Sequence, residues 1–91
     1  MKTPRRKTAV ALRYDAAKDA APRVTAKGHG LLADKILALA REKGVPIRED
    51  ADLVQALAQL DLQQEIPPSL YRAVAEILAF VYRLNAAYGK R

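Results

Sequence analysis

Apolar positions along this chain switch between a period of two and a period near 3.6, and each switch marks an element. In residues 8–14, Val10, Leu12 and Tyr14 fall on one face and Ala9, Ala11 and Arg13 on the other, the alternation of a strand. Residues 15–22 (DAAKDAAP) form a polar, alanine-rich connection, and residues 23–27 (RVTAK) read as a second short strand. Gly28-His29-Gly30 ends it, with two glycines supplying the backbone freedom of a strand-to-helix turn. From Leu31 to Lys43 the period lengthens. Leu32, Ile36, Leu39 and Ala40 make one stripe, Asp34, Lys35, Arg41 and Glu42 lie off it, and Gly44 supplies a left-handed stop.

Val45-Pro46-Ile47 reads as a third, brief strand, placed at an edge or strand end because Pro46 has no amide. Strand, helix, strand in that order predicts a right-handed crossover with strands two and three parallel. Asp50 or Asp52 caps the next helix, whose apolar face is Leu53, Val54, Leu57 and Leu60; residues 61–65 are a polar linker. Ile66-Pro67-Pro68-Ser69-Leu70-Tyr71 opens the last and longest helix, with the prolines before or within its first turn. Leu70, Val74, Ile77, Leu78, Val81 and Leu84 then follow the helical period. The expected fold is α/β: a small three-stranded mixed sheet with three helices. Residues 1–7 are a basic lead, 8–85 a single domain, and 86–91 a tail.

A length of 91 residues fits one domain. Although 51% of the residues are hydrophobic, no apolar run approaches the roughly 20 residues of a spanning helix. The apolar stretch behind the basic lead, Ala-Val-Ala-Leu before Arg13, is too short for a secretory signal. The lack of cysteine excludes disulfide and thiolate chemistry and permits a cytoplasmic location. The net charge of +6 lies in the ends: Lys2, Arg5, Arg6 and Lys7 at one, Lys90 and Arg91 at the other. Between Thr8 and Gly89 basic and acidic residues balance. Solvated ends are the simpler reading, and binding of nucleic acid or anionic surfaces through these tails is the alternative.

Candidate chemistry is sparse. His29 is the only histidine, and between two glycines it reads as an exposed loop residue, not a general base. The KGHG stretch lacks the spacing and the Lys-Ser/Thr of a phosphate loop. Glu49, Asp50 and Asp52 sit at a helix start, where carboxylates favour the dipole. Ser69 reads as a first-turn residue, and Tyr71, Phe80, Tyr82 and Tyr88 as core or rim packing. Nothing points to an enzyme, a metal or a cofactor.

Taken together, AVALRYD, the stretch of residues 20–28, LLADKILALAREKGVPI and QEIPPSLYRAVAEILAFVYRL resemble the C-terminal cytoplasmic domain of the FlhB/YscU family, in order and over residues 9–84. Members of that family are substrate-specificity switches of the flagellar and virulence-associated type III export apparatus. They usually carry transmembrane helices ahead of this domain and a self-cleaving Asn-Pro-Thr-His motif just before the AVALRYD-like strand. Here Pro4, Arg5, Arg6 and Lys7, followed by Thr8, occupy those positions, and none matches. The cut needs an asparagine side chain to attack its own carbonyl carbon. The only asparagine is Asn85, in the last helix, so this chemistry is not available here.

The resemblance implies a free-standing, non-catalytic interaction module at the inner-membrane export apparatus, docking like the cleaved C-terminal fragment. The expected partners are export-gate proteins and an FlhB-like membrane component, and export substrates besides. A missing first strand would leave a sheet edge for a partner's strand, the alternative being an edge that is short, twisted or covered by the basic lead. The resemblance also implies a shallow apolar substrate-docking site at Ala21, Pro22 and Leu57, with Val54 standing where a smaller residue is common.

Overall fold

The computed structural model describes residues 7–15 and 17–89. Its elements are β1 (Thr8–Arg13), β2 (Arg23–His29), α1 (Leu31–Glu42), α2 (Ala51–Ala58), a 3₁₀ turn (Pro68–Leu70) and α3 (Tyr71–Gly89). The last helix thus runs past Leu84, its expected final turn. The basic lead at Lys2, Pro4, Arg5 and Arg6, the tail residues Lys90 and Arg91, and the side chains of Tyr82 and Tyr88 lie outside what is described.

β1 and β2 pair antiparallel from Thr8 opposite His29 to Arg13 opposite Arg23, with a register shift between Ala11 and Leu12 that leaves Thr25 as the extra residue of a bulge. Their connection is held by its own carboxylates. The Ala17 amide donates to Asp15 Oδ1 at 3.0 Å and the Asp15 amide to Asp19 Oδ2 at 3.1 Å. The alternation of β1 sends its two faces to different neighbours. Val10 and Leu12 pack on a buried cluster of Ala21, Leu53, Leu57, Ile66 and Val74, while Ala11 faces Ile36 and Leu39 of α1. Helices therefore cover both faces of a two-stranded sheet.

The third strand expected at 45–47 does not form, and no parallel pair or crossover unit exists among the described residues. The reason lies in the end of α1. Gly44, at φ 72°, donates to Arg41 O at 3.2 Å, and the Val45 amide donates to Ala40 O at 2.8 Å. This double closure consumes the Val45 amide. Pro46 has none, so the segment keeps too few donors for a ladder.

The third neighbour of the sheet comes instead from the polar linker. Val24 N–H donates to Gln64 O at 3.0 Å, Gln63 N–H to Val24 O at 2.7 Å and Ile66 N–H to Pro22 O at 2.9 Å, around an antiparallel bridge of Arg23 with Glu65. Gln63 adopts φ 69°, a conformation unusual for a side-chain-bearing residue. The structure holds it there from both sides, since its carbonyl also accepts from Arg23 Nη1 at 2.8 Å.

Asp50 is the cap of α2: its Oδ1 accepts the Leu53 amide at 3.0 Å. The stripe of α1 is covered only in part. Ala33 is fully buried, but Leu32 and Leu39 are 52% and 51% exposed, because a face of small residues on two strands is too narrow to cover them. Gly28 allows the close approach there, since a Cβ on it would lie 2.4 Å from Leu32 Cγ.

Candidate functional site

Ala21 and Pro22, at the end of the β1–β2 connection, form one wall of a shallow groove of about 230 Å³. Tyr14 and Ile66 line it from the ends of the strand and linker, and Tyr71, Val74 and Leu78 from α3. Its depth follows from the wall. Ala21 is 3% exposed and small, which lets α3 come close, and Pro22 is buried with its carbonyl committed to Ile66. Arg23 secures this corner: Nε donates to Asp19 Oδ1 at 3.3 Å and Nη2 to Glu65 Oε2 at 3.1 Å. Hydrogen bonding from the Asp15 backbone, with the Arg23 guanidinium adding to it, holds the Asp19 carboxyl below the usual aspartate range.

Of the residues named from sequence, the structure brings Ala21 and Pro22 together at this groove. Leu57 lies behind it, 4% exposed and in the same buried cluster as Ala21. Val54 is half-buried on α2 and is not in the lining. Tyr14, Ile66 and Tyr71 were not foreseen as site residues. The parity of β1 places Tyr14 on the Val10 and Leu12 face, and Ile66 stands out as an apolar residue closing a polar linker; those were the available signals.

The outer edge of β1 is a second feature. Gly30 N–H donates to Lys7 O at 2.7 Å, and both peptide groups of Val24 are taken by residues 63 and 64. With Thr8 opposite His29 and Leu12 opposite Val24, this phase turns the peptide groups of Thr8, Val10 and Leu12 away from β2. Among the described residues nothing pairs with them.

At the positions of the self-cleavage motif, Pro4, Arg5 and Arg6 lie outside the described residues. Lys7 Nζ meets Asp34 Oδ1 at 2.8 Å, with both side chains more than half exposed, so the pair contributes little. Thr8 Oγ1 lies 3.0 Å from His29 Nδ1 and accepts from Gln55 Nε2 at 3.4 Å. His29 is exposed as expected, though it ends β2 and does not sit in a loop. Ser69 is exposed in the 3₁₀ turn, and the ring of Phe80 is 6.0 Å from Arg48 Cζ. The described residues contain no metal-holding cluster of histidine, cysteine or carboxylates, and no helix long and apolar enough to cross a membrane.

The model of the FlhB, HrpN, YscU and SpaS family matches residues 5–81. The chain belongs to this family. It is 52% identical over 83 residues to the uncharacterized protein YlqH of Bacillus subtilis, an alignment that covers 91% of this chain and 88% of that protein. To the flagellar biosynthetic protein FlhB of Escherichia coli it is 47% identical over 77 residues, covering 84% of this chain and 20% of FlhB. It thus spans about a fifth of the FlhB relatives. The crystal structure of the PscU C-terminal domain superposes with a TM-score of 0.77 at 32% identity, over 81% of this chain and 95% of that domain. A variant of the EscU C-terminal domain gives 0.81 at 25% identity, over 84% and 93%. The family match and the superpositions make the chain an FlhB-like C-terminal domain.

Proposed function

We propose that this domain is a non-catalytic interaction module of the export apparatus that docks like the cleaved C-terminal fragment of its FlhB-type relatives. The outer edge of β1, with which no described residue pairs, carries the reading. Thr8, Val10 and Leu12 offer outward peptide groups on a strand without proline, and a partner's strand would extend the sheet there by main-chain bonds. The groove at Ala21 and Pro22 is the second contact, apolar and shallow, suited to one apolar side chain of an export component or substrate, with Leu57 supporting it from the buried cluster. Lys7 stands where the cleavage motif of the relatives ends and Asn85 lies in α3, so the module acts by binding and not by cutting itself.

The test is co-purification with the cytoplasmic part of a full-length relative that lacks its own cleaved fragment. Association at micromolar concentration is expected, and Thr8→Pro, which deletes an outward donor, is expected to weaken it at least about tenfold. No association of the unaltered chain would sink the reading.

A further inference from the structure

We propose that Lys27 is a positioning residue that fixes α2 against the sheet and so shapes the Ala21–Pro22 groove from behind; the groove part rests on the reading above. Lys27 pairs with Val10 in the sheet, on the face that carries α2. Its ammonium donates to Ala58 O at 3.2 Å and to Leu60 O at 2.6 Å. Ala58 is the last residue of α2 and Leu60 lies just past its cap Gln59, at the end where the helix dipole is negative and the last helical acceptors lack partners within the helix. α2 has no basic residue in its own last turn. The cation is therefore supplied across the fold, from a strand.

The consequence reaches the groove through the chain that follows. Ala58 adjoins Leu57, which shares the buried cluster with Ala21. Leu60 leads into the segment that β2 ties down again at Val24, through Gln63 and Gln64, and at Pro22, through Ile66. Lys27 and Val24 of β2 and Pro22 just before it are thus successive fastenings of residues 58–66, and the last delivers Ile66 to the groove wall. Lys27 is the only one of the three that acts through its side chain, so it can be removed without touching the backbone ladder.

The experiment compares the unaltered chain with Lys27→Met, Lys27→Arg and, as control, Lys35→Met on the exposed side of α1. Amide hydrogen exchange is read residue by residue, and N-acetylphenylalanine amide is titrated as an apolar probe against the methyl resonances of Ile66 and Val74. Lys27→Met is expected to speed exchange over residues 57–66 by about tenfold relative to α1, with Lys27→Arg restoring most of it and Lys35→Met changing neither. Probe binding should weaken in Lys27→Met and recover in Lys27→Arg. Equal acceleration in every element, no acceleration, or an arginine variant no better than methionine would each overturn the proposal.

Should Lys27→Met fail to fold, the unaltered protein decides. The ¹⁵Nζ resonance of Lys27 should show slowed proton exchange with water and couplings to the Ala58 and Leu60 carbonyls, and their absence overturns it. A probe that does not perturb Ile66 or Val74 in the unaltered chain removes the docking reading of the groove and leaves the exchange result to decide Lys27 by itself.

Discussion

The two faces of the sheet are covered by helices of similar amphipathic pattern and end up differently. On one, α2 and α3 bury Leu53, Leu57 and Val74 in a shared cluster with Ala21 and Ile66. On the other, α1 buries Ala33 while Leu32 and Leu39 stay half exposed. The difference lies in what opposes each stripe. Behind α2 stand Val10, Leu12, the linker and a second helix; against α1 the strands set the small side chains of Ala11, Thr25 and Ala26 together with Gly28, and Val45 joins them from the end of the helix. Periodicity reports which side of a helix is apolar, and the width of the opposing surface sets how much of it leaves water.

The sharpest way to break that comparison is a pair of truncations. Leu57→Ala removes a side chain from the cluster and is expected to cost about 2–4 kcal/mol in chemical denaturation, while Leu39→Ala is expected to cost less than about 1 kcal/mol. Equal losses would show that the α1 face is packed as tightly as the other.

Next comes the close approach on the α1 face. In Gly28→Ala the new methyl collides with Leu32, at a cost of roughly 1–3 kcal/mol measured as a fall in denaturation midpoint. Adding Leu32→Ala should recover part of it, because the colliding side chain is half exposed and little is lost with it. A smaller term belongs to the α2 side: Asp50→Ala deletes the acceptor of the Leu53 amide and should cost about 1 kcal/mol, seen also as faster exchange of that amide.

The smallest expected effect is a pH dependence at the groove corner. Asp19 is held below its usual range in the folded chain, so between the folded and unfolded values the unfolded state binds more protons. Its contribution is therefore present above the unfolded value and lost as pH falls through the folded one, below about pH 4. Asp19→Asn should flatten that part of an acid-unfolding curve, and an unchanged curve would remove Asp19 as its cause.

Much of the fold was legible along the chain. Alternation marked β1, a short run at 23–27 marked most of β2, the 3.6 period marked all three helices, and Gly44 and one of the two candidate caps, Asp50, marked a stop and a start that the structure uses. The resemblance to FlhB and YscU, carried by ordered segments over most of the chain, agrees with the family match. Val45–Ile47 misled because strand propensity says nothing about where amides are spent, and the Val45 amide closes α1. The linker at 61–65 hid its role for the converse reason: no apolar alternation marks a segment that joins the sheet through backbone bonds and the Arg23 clamp.

At the candidate site, Ala21 and Pro22 were named from the resemblance, while Tyr14, Ile66 and Tyr71 join them only through packing. Sequence alone determined what local chemistry enforces: the first two strands and the three helices, their apolar sides, the stop at Gly44, and the absence of an asparagine where the family's cleavage motif would stand. Tertiary structure decided what depends on distant partners: which strand the linker joins, how far each stripe is buried, and that Lys27 of β2 closes the end of α2. Those outcomes follow from competition among non-local donors, acceptors and surfaces, which no window of neighbouring residues contains.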